Sequence, residues 1–351
     1  VAQKWISSAC PEPSAAHVAA AEQRQSRLTK PAGSLGTLET VAVRLAGLQA
    51  TERPQARRAA IVLFAGDHGV TAQGVSAYPS AVTVEMLKNF AAGGAAISVL
   101  ARELEAPLTV IDAGTLAEAA IPGVIVDKPR RGTRDFSVEP ALTAEEVGFA
   151  LEAGRRAVAR VAAEGADIIL FGEMGIGNTT SAAAIAAALL ARPPSELVGA
   201  GTGLDAARVA HKADVIARAF DRHGLARSGA TALEVLAAVG GLEIAALAGA
   251  TIAAAQARIP VLVDGFIVTA AALAAVRLNP SCRPWLLFSH RSAERGHGMV
   301  LDALGADPIL DLGLRLGEGS GAAVALAVVR LACSLHNGMA TFEEAAVSGP
   351  A

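Results

Sequence analysis

Aromatic side chains are nearly missing from this chain, which has one Tyr, two Trp and nine Phe in 351 residues. Its interior must therefore be built from Ala, Val, Leu and Ile. With 35 glycines, that composition suits helices packed closely on a parallel sheet. Cysteine is as scarce. Cys10, Cys282 and Cys333 are odd in number, far apart and without metal-ligand spacing, so no disulfide framework is expected and the thiols read as buried ones in a reducing compartment. Neither sign of charge dominates. A net charge of −3 leaves no basic field for nucleic acid or for an anionic lipid surface, although one small phosphorylated ligand needs only local donors. Long apolar runs are interrupted, as Glu234 and Glu243 interrupt 230–256, and none reaches the ~18 uncharged apolar residues of a membrane span. Residues 1–11 lack a charged segment followed by an apolar one, so no signal peptide is expected and a cytoplasmic location is.

What the chain does have is alternation. Helical spacing covers 14–28 and 38–48, joined by a Gly/Pro loop over 29–36, and no strand separates them. The loop is either a connector or a device that brings Lys30 to a ligand. From residue 59 onward, β-rich runs at 59–65, 108–113, 167–171, 261–264 and 285–289 alternate with helical patterns. A polar segment with Lys128, Arg130, Arg131 and Arg134 reads as a solvated loop. This pattern predicts an α/β fold, a parallel, doubly wound sheet flanked by helices. Residues 1–50 and 305–351 are expected to form a smaller helical domain beside a large α/β domain over 51–304.

Two glycine-rich stretches carry the chemistry. Gly172-Glu173-Met174-Gly175-Ile176-Gly177-Asn178-Thr179-Thr180-Ser181 joins a strand to an Ala-rich helix. Unpaired N–H groups, the positive helix end and hydroxyls make such a turn an anion cradle. It is neither a Walker A loop nor a dinucleotide G-x-G-x-x-G. A further glycine loop at 199–204, containing Gly203, precedes a helix with Lys212, a cation that could neutralise the same phosphate. The second stretch is Arg315-Leu316-Gly317-Glu318-Gly319-Ser320-Gly321, before a long apolar helix. A carboxylate on that turn is either a helix N-terminal charge or a desolvated proton acceptor. Asp67 and His68, at the end of the first strand, are acid–base candidates or loop-fixing side chains. His290, Glu294 and His297 cluster as ligands would, but their spacing is not H-E-x-x-H, and no metal site is expected.

Together with Thr29-Lys30-Pro31, Gly66-Asp67-His68-Gly69-Val70, Ser76-Ala77-Tyr78-Pro79, Gly201-Thr202-Gly203-Leu204-Asp205 and Ser289-His290-Arg291-Ser292-Ala293-Glu294, these stretches follow one another in a characteristic order. From about residue 10 to 345 the chain resembles the nicotinate-nucleotide–dimethylbenzimidazole phosphoribosyltransferases. The resemblance implies a Rossmann-like parallel sheet with a smaller helical domain. It implies a homodimer and a reaction of nicotinate mononucleotide with 5,6-dimethylbenzimidazole that needs no redox cofactor or metal. It also implies Glu318 as general base, and a nucleotide site over Glu173, Gly175, Gly177, Asn178, Thr179, Thr180, Gly203 and Lys212. The acceptor base would lie among Ser80, Glu85, Met86 and Leu316. Glu85 stands where the family commonly has glutamine; a carboxylate accepts from a ring N–H but donates nothing, so the acceptor preference is open. Rival readings are a transferase with the same donor and another acceptor, a non-catalytic base-binding paralogue, and a nicotinamide-dinucleotide oxidoreductase. The missing G-x-G-x-x-G counts against the last.

Overall fold

The computed structural model describes residues 4–201, 203–225 and 229–349; Thr202 of the glycine loop lies outside the described residues. Helices α1 (Ala15–Arg27) and α2 (Thr37–Gln49) come first. Then follow β1 (Ala59–Gly66), α3 (Ala81–Ala92), α4 (Ala96–Glu103), β2 (Leu108–Gly114), β3 (Val124–Val126), α5 (Ala144–Ala163) and β4 (Ile168–Met174). The chain continues through α6 (Asn178–Leu190), α7 (Pro194–Leu197), α8 (Ala206–His223), α9 (Ala232–Val239) and α10 (Leu242–Gln256). It closes with β5 (Val261–Val263), α11 (Phe266–Leu278), β6 (Leu286–Phe288), α12 (His297–Ala303) and α13 (Ser320–Gly338).

The six strands form one sheet in the order β3-β2-β1-β4-β5-β6. Every neighbouring pair is parallel, with Ile61 opposite Leu108 on one side of β1 and Leu170 on the other. All eight residues of β1 are buried, as expected of a strand covered on both faces. The strand order reverses between β1 and β4, and in such sheets ligands bind in the crevice beyond the strand ends at that reversal.

The scarcity of aromatics has a visible counterpart in the packing. A Cβ on Gly154 of α5 would lie 2.0 Å from the carbonyl oxygen of Ala246, and one on Gly249 of α10 would lie 2.1 Å from that of Leu151. The two helix backbones touch, and only small residues allow that approach.

Two expectations are corrected. The polar segment after β2 contains β3, a three-residue edge strand of half-buried and exposed residues, too short and too exposed to show a period in sequence. Its basic residues pair locally: Lys128 Nζ lies 2.6 Å from Asp112 Oδ2, and Arg134 Nη1 lies 2.7 Å from Glu146 Oε2. Beyond α13 the described residues form turns rather than further helices. By length and hydropathy alone, 81–103 and Ser320–Gly338 are apolar enough to cross a membrane. α13 is instead a packed helix against α2, α4, β4 and β5, and its Arg330 donates to the carbonyls of Ala56, Arg57 and Leu104.

The N-terminal helices and the segment after α13 meet. Leu28 and Thr341 form an antiparallel bridge, and Arg24 Nε donates to His336 O at 2.7 Å. α1 packs on α2, and α2 on α13. Lys30 is held by Glu39 at 2.8 Å, so the 29–36 loop engages its own helix rather than the strand-end cavity.

Candidate active site

A cavity of about 730 Å³ opens beyond the carboxyl ends of the strands. Glu173, Gly175, Asn178 and Thr179 line it from β4 and α6, Asp264 and Phe266 from β5 and α11, and His290 and Glu294 from the loop after β6. Arg315, Leu316 and Glu318 close it from the turn before α13, and Tyr78, Val82 and Met86 from α3 and the segment before it. A second cavity of about 430 Å³, lined by Phe90, Ser98 and Arg102 among others, shares no lining residue with it.

The turn after β4 forms as the sequence predicts. Gly177, in left-handed conformation, is the N-cap of α6 and has no side chain to offer the helix. No side chain caps the helix, and although the Asn178 and Thr180 N–H groups donate to Gly175 O and Gly177 O, the positive helix end is left to a ligand. Behind them Lys212 is buried, with its Nζ 2.7 Å from Thr179 Oγ1. Burial pushes its pKa down to about 8, against the pull of Glu294. Arg315 brings a second cation and is anchored to Gly201 O at 3.2 Å.

The turn before α13 works differently. Gly317, Glu318 and Gly319 all have positive φ, of 85°, 62° and 83°. For glutamate this conformation costs roughly 1–2 kcal/mol and persists only where the surroundings hold it. Gly172 is one restraint: a Cβ there would lie 2.4 Å from Glu318 O, so the turn seats directly on β4. The Glu318 carboxylate is buried and accepts from Ile97 N at 3.4 Å. Desolvation raises its pKa, the Ile97 bond opposes this, and the nearby Asp264 charge adds to the rise. Glu173 is pushed up to about 8 by burial, with Asp264, Glu243 and Glu318 adding repulsion, and it accepts a hydrogen bond from Asn178 Nδ2.

Two histidines, His68 and His297, are committed internally. His68 lies between Ser181 Oγ at 2.9 Å and Glu243 Oε1 at 2.6 Å, and it is buried, so it props the floor of the cavity rather than meeting a ligand. Asp67 accepts from Leu116 N at 2.8 Å, the loop-fixing alternative. His297 Nδ1 accepts from Ser292 N at 2.8 Å, which puts its proton on Nε2, 2.9 Å from Thr269 Oγ1. Burial holds its pKa down to about 3, so the ring stays neutral and both nitrogens are engaged. Among the described residues no group of three His, Cys, Asp or Glu is arranged for a metal ion.

The cavity thus gathers Glu318, Glu173, Gly175, Asn178, Thr179, Met86 and Leu316 of the residues singled out in sequence. Lys212 stands one atom behind it, through Thr179. Gly177 and Thr180 shape α6 without lining the cavity, and Gly203 lies outside it. Ser80 is turned toward Thr71, with the two hydroxyls 3.0 Å apart. Glu85 is exposed: α3 presents Val82 and Met86, one turn apart, and leaves Glu85 on the solvent side. Asp264, Glu294, Arg315, Tyr78 and Val82 had no assigned role in the sequence reading. Asp264 carried a signal as a carboxylate closing a strand, and Glu294 as a member of the cluster with His290 and His297.

Comparison with known proteins agrees with this fold. A family model described as "Phosphoribosyltransferase" matches residues 10–347. A nicotinate-nucleotide–dimethylbenzimidazole phosphoribosyltransferase of Bradyrhizobium sp. (strain BTAi1) is 69% identical over 345 residues, covering 98% of each chain. One from Pseudomonas aeruginosa is 59% identical over 346 residues, again covering 98% of each. The crystal structure of the Thermus thermophilus enzyme of that name superposes with a TM-score of 0.90 at 45% identity, over 96% of this chain and 100% of that one.

Proposed function

This chain belongs to the nicotinate-nucleotide–dimethylbenzimidazole phosphoribosyltransferase family, and from that premise we propose that it moves the phosphoribosyl group of nicotinate mononucleotide onto 5,6-dimethylbenzimidazole, with Glu318 as general base. The observation that carries this reading is the pairing of a desolvated carboxylate with an open helix N-terminus across one cavity.

The 5′-phosphate sits on Gly175, Asn178 and Thr179 at the start of α6, with Lys212 and Arg315 supplying positive charge. Gly177, Thr180 and Gly203 give the two glycine loops their shape. Glu173 faces the ribose. The pyridinium of the donor is already cationic, so nicotinate departs with the glycosidic electron pair and needs no acid. Glu318 takes the N–H proton of the benzimidazole as the other ring nitrogen forms its bond to C1′ from the opposite face. Asp264, Glu294 and Glu318 make the cavity anionic, which favours a cationic ring and the positive charge that develops at C1′. Base catalysis and the fixed approach of the two rings supply most of the rate. The reaction needs no redox cofactor and no metal.

The acceptor wall is Tyr78, Val82, Met86 and Leu316, largely apolar, and Glu85 stands outside it. A ring is selected there more by shape than by hydrogen bonds. That favours a second reading, in which the donor is the same and the acceptor is another benzimidazole, a purine or a phenol. The same proposal includes a soluble cytoplasmic homodimer, and a small helical domain over 1–50 and 305–351 against a larger one over 51–304, with the Glu318 turn between them.

The test is nicotinate release from nicotinate mononucleotide, with and without 5,6-dimethylbenzimidazole, by wild type and Glu318→Gln. Release that depends on the base and collapses in the variant is expected. Release with adenine or a phenol alone moves the acceptor to the second reading. No release with any base leaves a binding protein.

A further inference from the structure

The carboxylate of Asp264 closes β5 and is 1% exposed, yet it does not serve its own loop. Its Oδ2 accepts from Gly319 N at 3.2 Å and its Oδ1 from Ala322 N at 2.9 Å. Gly319, the N-cap of α13, has no side chain of its own, so Asp264 caps that helix from a different strand. One of the two bonds falls on the peptide immediately after Glu318, at the end of three successive positive-φ residues. A turn strained in this way keeps its shape only if contacts on both sides determine it. Gly172 supplies one side, and Asp264 the other.

We propose that Asp264 is a positioning residue of the transfer reaction: by holding Gly319 and Ala322 it fixes the Glu318 carboxylate toward the acceptor, and its own negative charge keeps that carboxylate a strong proton acceptor. The proposal rests on the reading of Glu318 as the base. A plain helix cap predicts less. It stabilises α13 by about 1 kcal/mol and leaves catalysis alone. The difference lies in where the charge sits, since the Asp264 charge acts to raise the Glu318 pKa. The other charged or titratable groups around the Glu318 turn are Glu173 after β4, His290 and Glu294 after β6, and Arg315 on the turn itself. His290 Nε2 lies 3.5 Å from Asp264 Oδ1, and α4 contributes the Ile97 N–H.

The experiment compares Asp264→Asn with wild type for kcat, for KM toward nicotinate mononucleotide and for the pH dependence of kcat, alone and combined with Glu318→Gln. Asparagine keeps the shape and one acceptor but removes the charge. The expected result is a kcat lower by roughly 10- to 100-fold with KM within about threefold, because a small displacement of the base is costly while the phosphate cradle on α6 is untouched. The acid limb of the kcat profile moves to lower pH, and the loss largely disappears in the Glu318→Gln background. If kcat stays within about threefold of wild type, or if the acid limb stays in place and the losses multiply with those of Glu318→Gln, Asp264 is only a cap and the proposal is overturned. If Asp264→Asn shows no melting transition, Asp264→Ser, which retains an oxygen for α13, carries the same measurements. Undiminished release by Glu318→Gln alone is a separate result: it overturns the base assignment, and the role of Asp264 with it.

Discussion

Two glycine-rich turns start helices at the mouth of the same cavity, and they do opposite work. The turn into α6 leaves its helix end open to a ligand, with Lys212 buried behind it. The turn into α13 has its helix end already filled by Asp264, so it cannot take a phosphate and instead displays a carboxylate. Both N-caps are glycines in left-handed conformation. Local sequence grammar is shared, and the task is set by what the neighbouring strand presents. A helix N-terminus is an anion site only when nothing in the protein has claimed it.

The comparison breaks most sharply at Glu318. Glu318→Gln is expected to lower kcat roughly 10²- to 10⁴-fold while KM for the nucleotide changes little, measured by initial rates of nicotinate release. Next comes the seat of the same turn. Gly172→Ala places a Cβ against Glu318 O and should lower kcat roughly 100-fold through displacement of the base, again at near-constant KM. The α6 side should respond in the other parameter. Lys212→Met removes a charge-assisted partner for the phosphate and should raise KM for the nucleotide roughly 10- to 100-fold, with kcat less affected.

The two turns should also separate by pH. On the proposed reading Glu318 must be ionised to act, and its raised pKa moves the acid limb of kcat upward from that of an ordinary carboxylate. Lys212 must be protonated to hold phosphate, so kcat/KM for the nucleotide falls as pH rises through about 8. Lys212→Arg should carry that alkaline limb upward, because guanidinium does not titrate there. The smallest effect expected is on stability. The folded-state pKa of Glu173 is raised to about 8, so its contribution is fully present below the unfolded value of about 4.5 and is lost as pH rises through 8. Glu173→Gln should therefore melt above wild type at pH 9, with the gap closing toward pH 5, as read by thermal denaturation.

Much of this was legible in sequence, for physical reasons. Strands buried on both faces and followed by helices announce a parallel sheet, and five of the six strands fall where apolar β-rich runs occur. The exception, β3, sits at the edge, where burial leaves no pattern. Both glycine turns were legible because backbone geometry restricts which residues can build them. Glu85 was not, since a helix phase error of one residue exchanges the cavity face for the solvent face, and only packing shows that Val82 and Met86 point inward. Asp264 was visible as a strand-end carboxylate, but its partners lie 55 and 58 residues further on. His68 meets Glu243 across 175 residues. Nothing local encodes such pairings, because the fold creates them.

The α3 wall has a consequence for how such a chain can change over generations. Val82 and Met86 are half-buried, and Leu316 is 60% exposed, so substitutions there reshape the slot without disturbing the backbone that holds the base. Substitutions at Gly172, Asp264 or Glu318 have no such latitude. On the proposed reading, a lineage can exchange one acceptor ring for another by drift along a single helix, while the donor and the bond-forming chemistry are inherited intact.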